Sequence, residues 1–156
     1  MLRISKLTDY GVVLASHLAT LEGPRSVREL AEETAVPQPT AAKVLKALTK
    51  GGIVTSTRGA RGGYALSAAP ADISIAQVIT ALEGPIAVTE CTDETVDDGC
   101  SHEEHCGVRG NWQRINAAVQ TALEAISLDD MAHRAGAPLI TLSLSAADAN
   151  ARLRSH

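Results

Sequence analysis

The sequence contains no phenylalanine, and its aromatic residues are limited to one tryptophan and two tyrosines. Hydrophobic residues still make up 45% of the 156 residues, so a core can form. That core must be filled by aliphatic side chains. The length is that of one ordinary domain, or of a small domain with an extension.

Three further absences bear on location and activity. No apolar run approaches the length of a membrane span, and the first residues lack the apolar region of a signal peptide. We therefore expect a cytoplasmic protein with no membrane partner, in a compartment where structural disulfides are rare. No set of nucleophile and base stands out in the sequence, so we expect no enzyme.

Cysteine is also scarce. All three cysteines, Cys91, Cys100 and Cys106, lie within residues 91–106, here named the cysteine segment. The residues between them are mostly acidic or polar and offer no apolar face. Thiols used for packing usually sit among aliphatic side chains, so this setting favours thiolates that bind a metal or a cluster. A thiol-only redox switch and incidental cysteines are the alternatives.

The spacing of the cysteines bears on which metal they could hold. Zinc sites usually pair cysteines about two to four residues apart, whereas the gaps here are eight and five residues. Irregular spacing in a loop suits an iron–sulfur cluster better, because its iron atoms lie farther apart than the ligands of a single ion. Zinc stays open, with His102 or His105 as its fourth ligand.

The net charge of −4 conceals an asymmetry along the chain. Residues 1–66 carry nine Lys/Arg against five Asp/Glu, a charge of +4. Residues 67–156 carry five against thirteen, a charge of −8. A basic first half suggests a polyanionic partner.

The first half contains a helix-turn-helix pattern. Apolar residues at helical spacing predict helices over residues 5–22, 26–34 and 40–50, and the third helix has lysines along its outer face. A short turn at residues 35–39 joins the second helix to the third. Such a pair is typical of DNA-binding domains.

A β-hairpin follows at once. A glycine-rich turn over residues 58–63 joins two predicted strands, 53–57 and 64–66. Helix-turn-helix plus hairpin predicts a winged helix, and the tip carries Arg58 and Arg61, the residue type that narrow minor grooves attract. A phosphate-binding glycine loop is excluded, because no GK[ST] follows and the loop joins two strands.

The second half is predicted to hold a helix over residues 73–83, the cysteine segment, a long helix from residue 111 and a short one from residue 128 to about 134. The long helix has a heptad-like apolar seam suited to pairing with a copy of itself. Docking on the chain's own core is the alternative. The seam consists of Trp112, Ile115, Val119, Ala122 and Ile126.

We therefore expect a mainly α fold, a winged helix-turn-helix with a β-hairpin wing and a long C-terminal dimerisation helix. Residues 1–83 would form the DNA-binding domain and residues 84–110 the cluster-binding cysteine loop. Residues 111–135 would form the dimerisation helix, and residues 136–156 a poorly ordered tail.

Four features in this order resemble the Rrf-type winged-helix transcriptional regulators, which include the cluster-sensing IscR and NsrR. They are SKLTDY at residues 5–10, RGARGGY at residues 58–64, three cysteines ahead of a long helix, and LDDM at residues 128–131. The resemblance covers about residues 1–134 and is greatest to members that regulate the SUF system of iron–sulfur assembly.

The resemblance implies a repressor that binds a pseudo-palindromic operator as a homodimer. Its DNA affinity would depend on an iron–sulfur cluster, [2Fe-2S] or [4Fe-4S]. It would control iron–sulfur cluster assembly or a response to redox or nitric-oxide stress. A zinc-stabilised winged-helix adaptor that binds protein and a metal-free thiol-switch repressor are the other hypotheses.

Ligand roles also carry over from the family. The cluster ligands would be Cys91, Cys100 and Cys106. The histidine ligand of some members falls on Arg109, which cannot ligate, and the carboxylate used by NsrR-like members falls on Asp9, acting from the partner subunit. The rival ligands within the cysteine segment are His102, Glu104 and His105.

The expected DNA contacts divide by role. Three side chains at the start of the third helix would reach base edges: Gln38, Thr40 and Lys43. Lys46 would contact phosphates. Arg58 and Arg61 would enter the minor groove from the wing.

Overall fold

The computed structural model describes residues 4–89, 92 and 106–133. The elements in this part of the chain are α1 Lys6–Ala19, α2 Val27–Thr34, α3 Gln38–Lys50, β1 Val54–Thr57, β2 Gly63–Leu66, a 3₁₀ turn Pro70–Asp72, α4 Ile75–Glu83, α5 Arg109–Glu124 and α6 Leu128–His133. Their order is the predicted one. Of the helices described, none is both long and apolar enough to cross a membrane.

The helix starts are set by short-range hydrogen bonds. Ser26 caps α2: its Oγ accepts from the Glu29 N–H at 3.2 Å, and its own N–H donates to the Glu29 carboxylate at 2.8 Å. This reciprocal pair is the capping box that the sequence predicts. Ser5 caps α1 in a simpler way, because its Oγ accepts from the Thr8 N–H at 3.2 Å.

Several predicted boundaries are wrong by a few residues. The helix predicted over residues 73–83 begins at Ile75, and the long helix predicted from residue 111 begins at Arg109 and ends at Glu124. The helix predicted over residues 5–22 ends at Ala19, where Thr20 donates its N–H and its hydroxyl to the His17 carbonyl, at 3.0 and 2.7 Å. The helix predicted from residue 40 begins at Gln38. Pro39 then occupies the second position of α3, where its missing N–H is not needed.

The wing is an antiparallel two-stranded hairpin, and an isolated β-bridge connects it to the helices. Across the hairpin Val54 lies opposite Leu66. On the other edge of β2, Arg25 exchanges two backbone hydrogen bonds with Tyr64, at 3.0 and 2.7 Å. Since Arg25 lies just before α2, this bridge fixes the wing to the helix-turn-helix.

The core is aliphatic, as predicted from the shortage of aromatic residues. It is built from one face each of α1, α2, α3 and α4, together with β1 and the first residue of α6. The largest fully buried side chains are Leu14, Leu30, Leu45, Leu48, Leu128, Val44, Val54, Val78 and Thr8.

The chain beyond α5 returns to this core. Leu128 is 0% exposed and donates its N–H to the Ile73 carbonyl at 2.9 Å, while the Ile75 N–H donates to the Ile126 carbonyl at 2.8 Å. These bonds join the start of α6 to the start of α4. The short helix therefore belongs to the same packed unit as the winged helix.

Candidate nucleic-acid interface and cysteine segment

The outer face of α3 is basic and exposed. Lys43, Lys46 and Lys50 recur every three or four residues, and all three are exposed. The opposite face is buried through Val44, Leu45 and Leu48. Because packing fixes that inner face, the lysines can point only away from the core.

The start of α3 also carries predicted DNA contacts. Gln38 is exposed and Thr40 is half-buried. The turn before α3 is anchored by Val36, which is 3% exposed, and by Ala35, whose φ of 56° ends α2 in the left-handed region. This turn sets the angle at which the first residues of α3 are presented.

The wing presents its two arginines on a tight turn. Arg58 and Arg61 are both exposed, and the Gly62 N–H donates to the Gly59 carbonyl at 2.9 Å. Gly59 has a φ of 115°, which favours glycine. A Cβ on Gly62 would collide with the backbone of the turn. The basic side chains of α3 and of the wing thus belong to one winged helix, and their roles as DNA contacts stay predictions.

A network of polar contacts around Glu33 links α1, α2 and the residue that pairs with the wing. The Glu33 carboxylate on α2 lies 2.6 Å from His17 Nε2 on α1 and 3.9 Å from Arg25 Nε. Arg25 is the residue that pairs with the wing. Sequence analysis missed the network, because its members are separated by up to 16 residues and no local pattern links them.

A second cluster, the Glu83 clamp, consists of Ser5, Thr8 and Glu83. The Ser5 N–H donates to the Glu83 carboxylate at 3.1 Å, and the hydroxyl of the fully buried Thr8 donates to the same oxygen. Hydrogen bonding by the Ser5 side chain, by the Thr8 hydroxyl and, to a smaller extent, by the Ser5 N–H holds the pKa of the Glu83 carboxyl below its ordinary value. The sequence gives no signal for this contact either.

The cysteine segment is described only at its end. Cys91, Cys100 and the rival ligands His102, Glu104 and His105 lie outside the described residues. Cys106 is half-buried, carries a free thiol and stands three residues before α5. Within residues 4–89, 92 and 106–133, no group of three or more His, Cys, Asp and Glu is gathered that could hold a metal ion.

The donors that are described fit a cluster. Cys106 is a free thiol, and cysteine side chains are the usual ligands of iron–sulfur clusters. Asp9 is exposed, and in the described part of the chain no hydrogen bond or ion pair engages its carboxylate. Its neighbour on the outer face of α1 is Val13, which is 38% exposed. The carboxylate therefore faces outward, where a second subunit could meet it.

Helix α5 is held along one side and exposed along the other. Asn116 accepts from the Val88 N–H at 2.9 Å and donates to the Ile86 carbonyl at 3.1 Å. Trp112 and Ile115 are 36% and 44% exposed. Of the other seam residues, Val119 and Ala122 are half-buried, and Ile126 packs against the core. The first half of the predicted seam is therefore exposed to solvent, whereas its last residue, which follows the end of α5, packs against the chain's own core.

A cavity of about 640 Å³ lies between the end of α3, α4 and α5. Its polar lining is largely engaged within the protein. Gln77 caps α4 through Ser74, and Gln120 donates to Glu124 at 2.9 Å. We assign no ligand to this cavity.

The known proteins that this chain resembles are transcriptional regulators. A family model described as "Rrf2: Iron-dependent Transcriptional regulator" matches residues 4–134. The HTH-type transcriptional regulator CymR of Bacillus subtilis is 32% identical over 133 residues, which cover 84% of this chain and 90% of the relative. The HTH-type transcriptional regulator IscR of Aliivibrio salmonicida is 28% identical over 131 residues, 81% of this chain and 76% of the relative.

Solved structures show the same similarity. The structure of CymR, described as the global cysteine regulator of B. subtilis, has a TM-score of 0.65 at 32% identity and covers 85% of this chain and 97% of that one. T. potens IscR has a TM-score of 0.63 at 30% identity, with coverage of 88% and 93%. The predicted mainly α winged-helix fold is confirmed. The similar proteins are transcriptional regulators and not enzymes, as expected for this chain.

Proposed function

Since the chain belongs to the Rrf2 family of transcriptional regulators, we propose that it binds operator DNA as a homodimer and that an iron–sulfur cluster controls this binding. One observation carries the proposal. A winged helix with an exposed basic recognition helix and wing is followed, in the same chain, by a segment that holds every cysteine. We further propose that it represses genes of iron–sulfur assembly or of redox or nitric-oxide stress.

The proposed DNA contacts are assigned from the exposure of the side chains and their positions in the winged helix. Gln38, Thr40 and Lys43 occupy the start of α3, the end of a recognition helix that reaches base edges in the major groove. Lys46, one turn further along, is suited to phosphates. Arg58 and Arg61, on the wing tip, are suited to a narrow minor groove.

Dimerisation is supported by the exposed half of the α5 seam. Trp112 and Ile115 are large apolar side chains left partly in water, and a second copy of α5 would cover them. A twofold dimer presents two recognition helices, so the operator would be pseudo-palindromic.

Cys91, Cys100 and Cys106 would hold the cluster, with Asp9 of the partner subunit as the fourth ligand. When bound, the cluster supplies a redox-reactive link between the cysteine segment of one subunit and α1 of the other. Because α1 packs against α3, fixing or releasing α1 can bias the orientation of the recognition helix. A bias between two dimer geometries is the coupling that regulation requires.

A second function is favoured by the similarity to CymR. That relative is described as the global cysteine regulator of B. subtilis, and CymR of Staphylococcus aureus has a solved structure described as its oxidized form. The same three cysteines could then act as a metal-free thiol switch. A zinc-stabilised adaptor is the third possibility, although the cysteine gaps of eight and five residues do not favour it.

The cofactor is tested by purification without oxygen. We expect brown protein with iron and acid-labile sulfide, and we expect Cys106→Ala to lose the colour while remaining folded. Asp9→Ala should form a cluster that is lost faster than in the wild type, whereas His102→Ala and His105→Ala should keep the wild-type lifetime. Colourless protein with about one zinc per chain, or with no metal and a disulfide under oxidant, would overturn the cluster proposal.

DNA binding is tested with a duplex that the protein selects from a random library. Arg58→Ala and Arg61→Ala should each weaken binding by about 1–3 kcal/mol. Lys46→Ala should weaken binding to all sequences alike and reduce its salt dependence. Arg114→Ala, an equal charge loss on α5, is the control. Unchanged affinity in both wing variants would contradict the proposed role of the wing.

A further inference from the structure

The Glu83 clamp joins the start of α1 to the end of α4, two positions that are far apart in sequence. Glu83 is the last residue of α4, and Thr8 lies 75 residues earlier in the first turns of α1. The two helices approach closely beside the clamp. Gly11 of α1 allows this approach, since a Cβ at that position would collide with the Leu82 side chain of α4. The clamp therefore sits on a tightly packed contact and not on a loose surface.

The ionised carboxylate of Glu83 can only accept hydrogen bonds, so its partners in the clamp are the donors. The Thr8 hydroxyl donates to the Glu83 carboxylate. The hydroxyl oxygens of Ser5 and Thr8 lie 3.1 Å apart. Ser5 Oγ in turn accepts from the Thr8 N–H. The ionised carboxylate thus orders the whole first turn of α1.

The clamp lies between two segments that serve different cluster sites of the proposed dimer: the cysteine segment would hold the chain's own cluster, and Asp9 would ligate the cluster of the partner subunit. Gly84 follows Glu83 with a φ of 90°, and the chain then leads into the cysteine segment. Asp9 follows Thr8 directly, and its N–H donates to the Ser5 carbonyl at 3.0 Å. Anything that fixes Ser5 and Thr8 therefore also fixes the backbone that carries Asp9.

We propose that Glu83 is a positioning residue, which fastens the first turn of α1 to the end of α4 and thereby holds Asp9 in place for the cluster of the partner subunit. This inference rests on the proposed role of Asp9 as a ligand. Glu83 itself acts through Ser5 and Thr8 and needs no contact with the cluster. Loosening the clamp should therefore free Asp9 without removing any ligand.

The clamp itself is tested by amide hydrogen exchange on the cluster-free protein. Glu83→Gln and Thr8→Val should each make the amides of Thr8 and Asp9 exchange about tenfold faster. Glu124→Gln removes an equal charge from an exposed site on α5 and should leave these amides unchanged. Unchanged exchange in both clamp variants would show that the carboxylate does not hold α1.

The link to Asp9 is tested by the visible absorption of the anaerobically loaded protein. Glu83→Gln should shorten the lifetime of the cluster, and in an Asp9→Ala background it should have no further effect. Equal shortening in both backgrounds would mean a general structural role and would overturn the inference. If Asp9→Ala alone left the lifetime unchanged, the ligand role of Asp9 would fail, and the exchange rates would still decide whether the clamp holds α1.

Discussion

Truncating Leu128 measures whether α6 belongs to the core of the winged helix. Alanine lacks three of the carbon groups of leucine, and at about 0.8 kcal/mol each the lost transfer free energy is roughly 2.5 kcal/mol. Leu128 is 0% exposed, and its backbone N–H is hydrogen-bonded to the Ile73 carbonyl. The surrounding residues therefore cannot easily move into the space that the lost side-chain atoms leave. A cavity term is therefore added, and Leu128→Ala should lower the free energy of unfolding by about 3–4 kcal/mol.

The assay is urea unfolding followed by far-UV circular dichroism, at two protein concentrations so that changes in association are separated from changes in folding. Met131→Ala is the control, since Met131 lies on the same helix but is 38% exposed, and it should lower stability by no more than about 1 kcal/mol. Equal effects of the two substitutions would refute the conclusion that α6 completes the core.

Two further predictions concern the wing and the clamp. Gly63→Ala should reduce DNA affinity more than Gly59→Ala while helix content is retained. The angle φ is positive at both positions, 152° and 115°, but only at Gly63 would the new Cβ meet the backbone of Arg25, the residue that joins the wing to the helices. Equal losses in a binding titration would contradict this. Because hydrogen bonds from Ser5 and Thr8 lower the pKa of Glu83, its stabilising contribution is complete above its ordinary pKa of 4.5 and is lost as the pH falls through the lowered value. Glu83→Gln should therefore lose less stability than the wild type in acid unfolding from about pH 6 to about pH 3, and identical curves would exclude the clamp as the cause.

The sequence by itself determined the helix-turn-helix, the hairpin and the aliphatic core. The capping box of α2 spans four residues, from Ser26 to Glu29, and the lysines of α3 recur at helical spacing. The glycines of the wing turn are likewise local. Such features are readable because the interacting groups are neighbours in the chain, so that residue type and interval alone specify the contact.

Tertiary structure decided the contacts between distant segments. Thr8 and Glu83 are 75 residues apart, and nothing in either local pattern requires that they meet. The burial of Leu128 depends in the same way on the return of the chain after α5 to α4. These contacts arise because helices with apolar faces must pack against one another, and packing fixes which polar groups at the helix ends come within hydrogen-bonding distance.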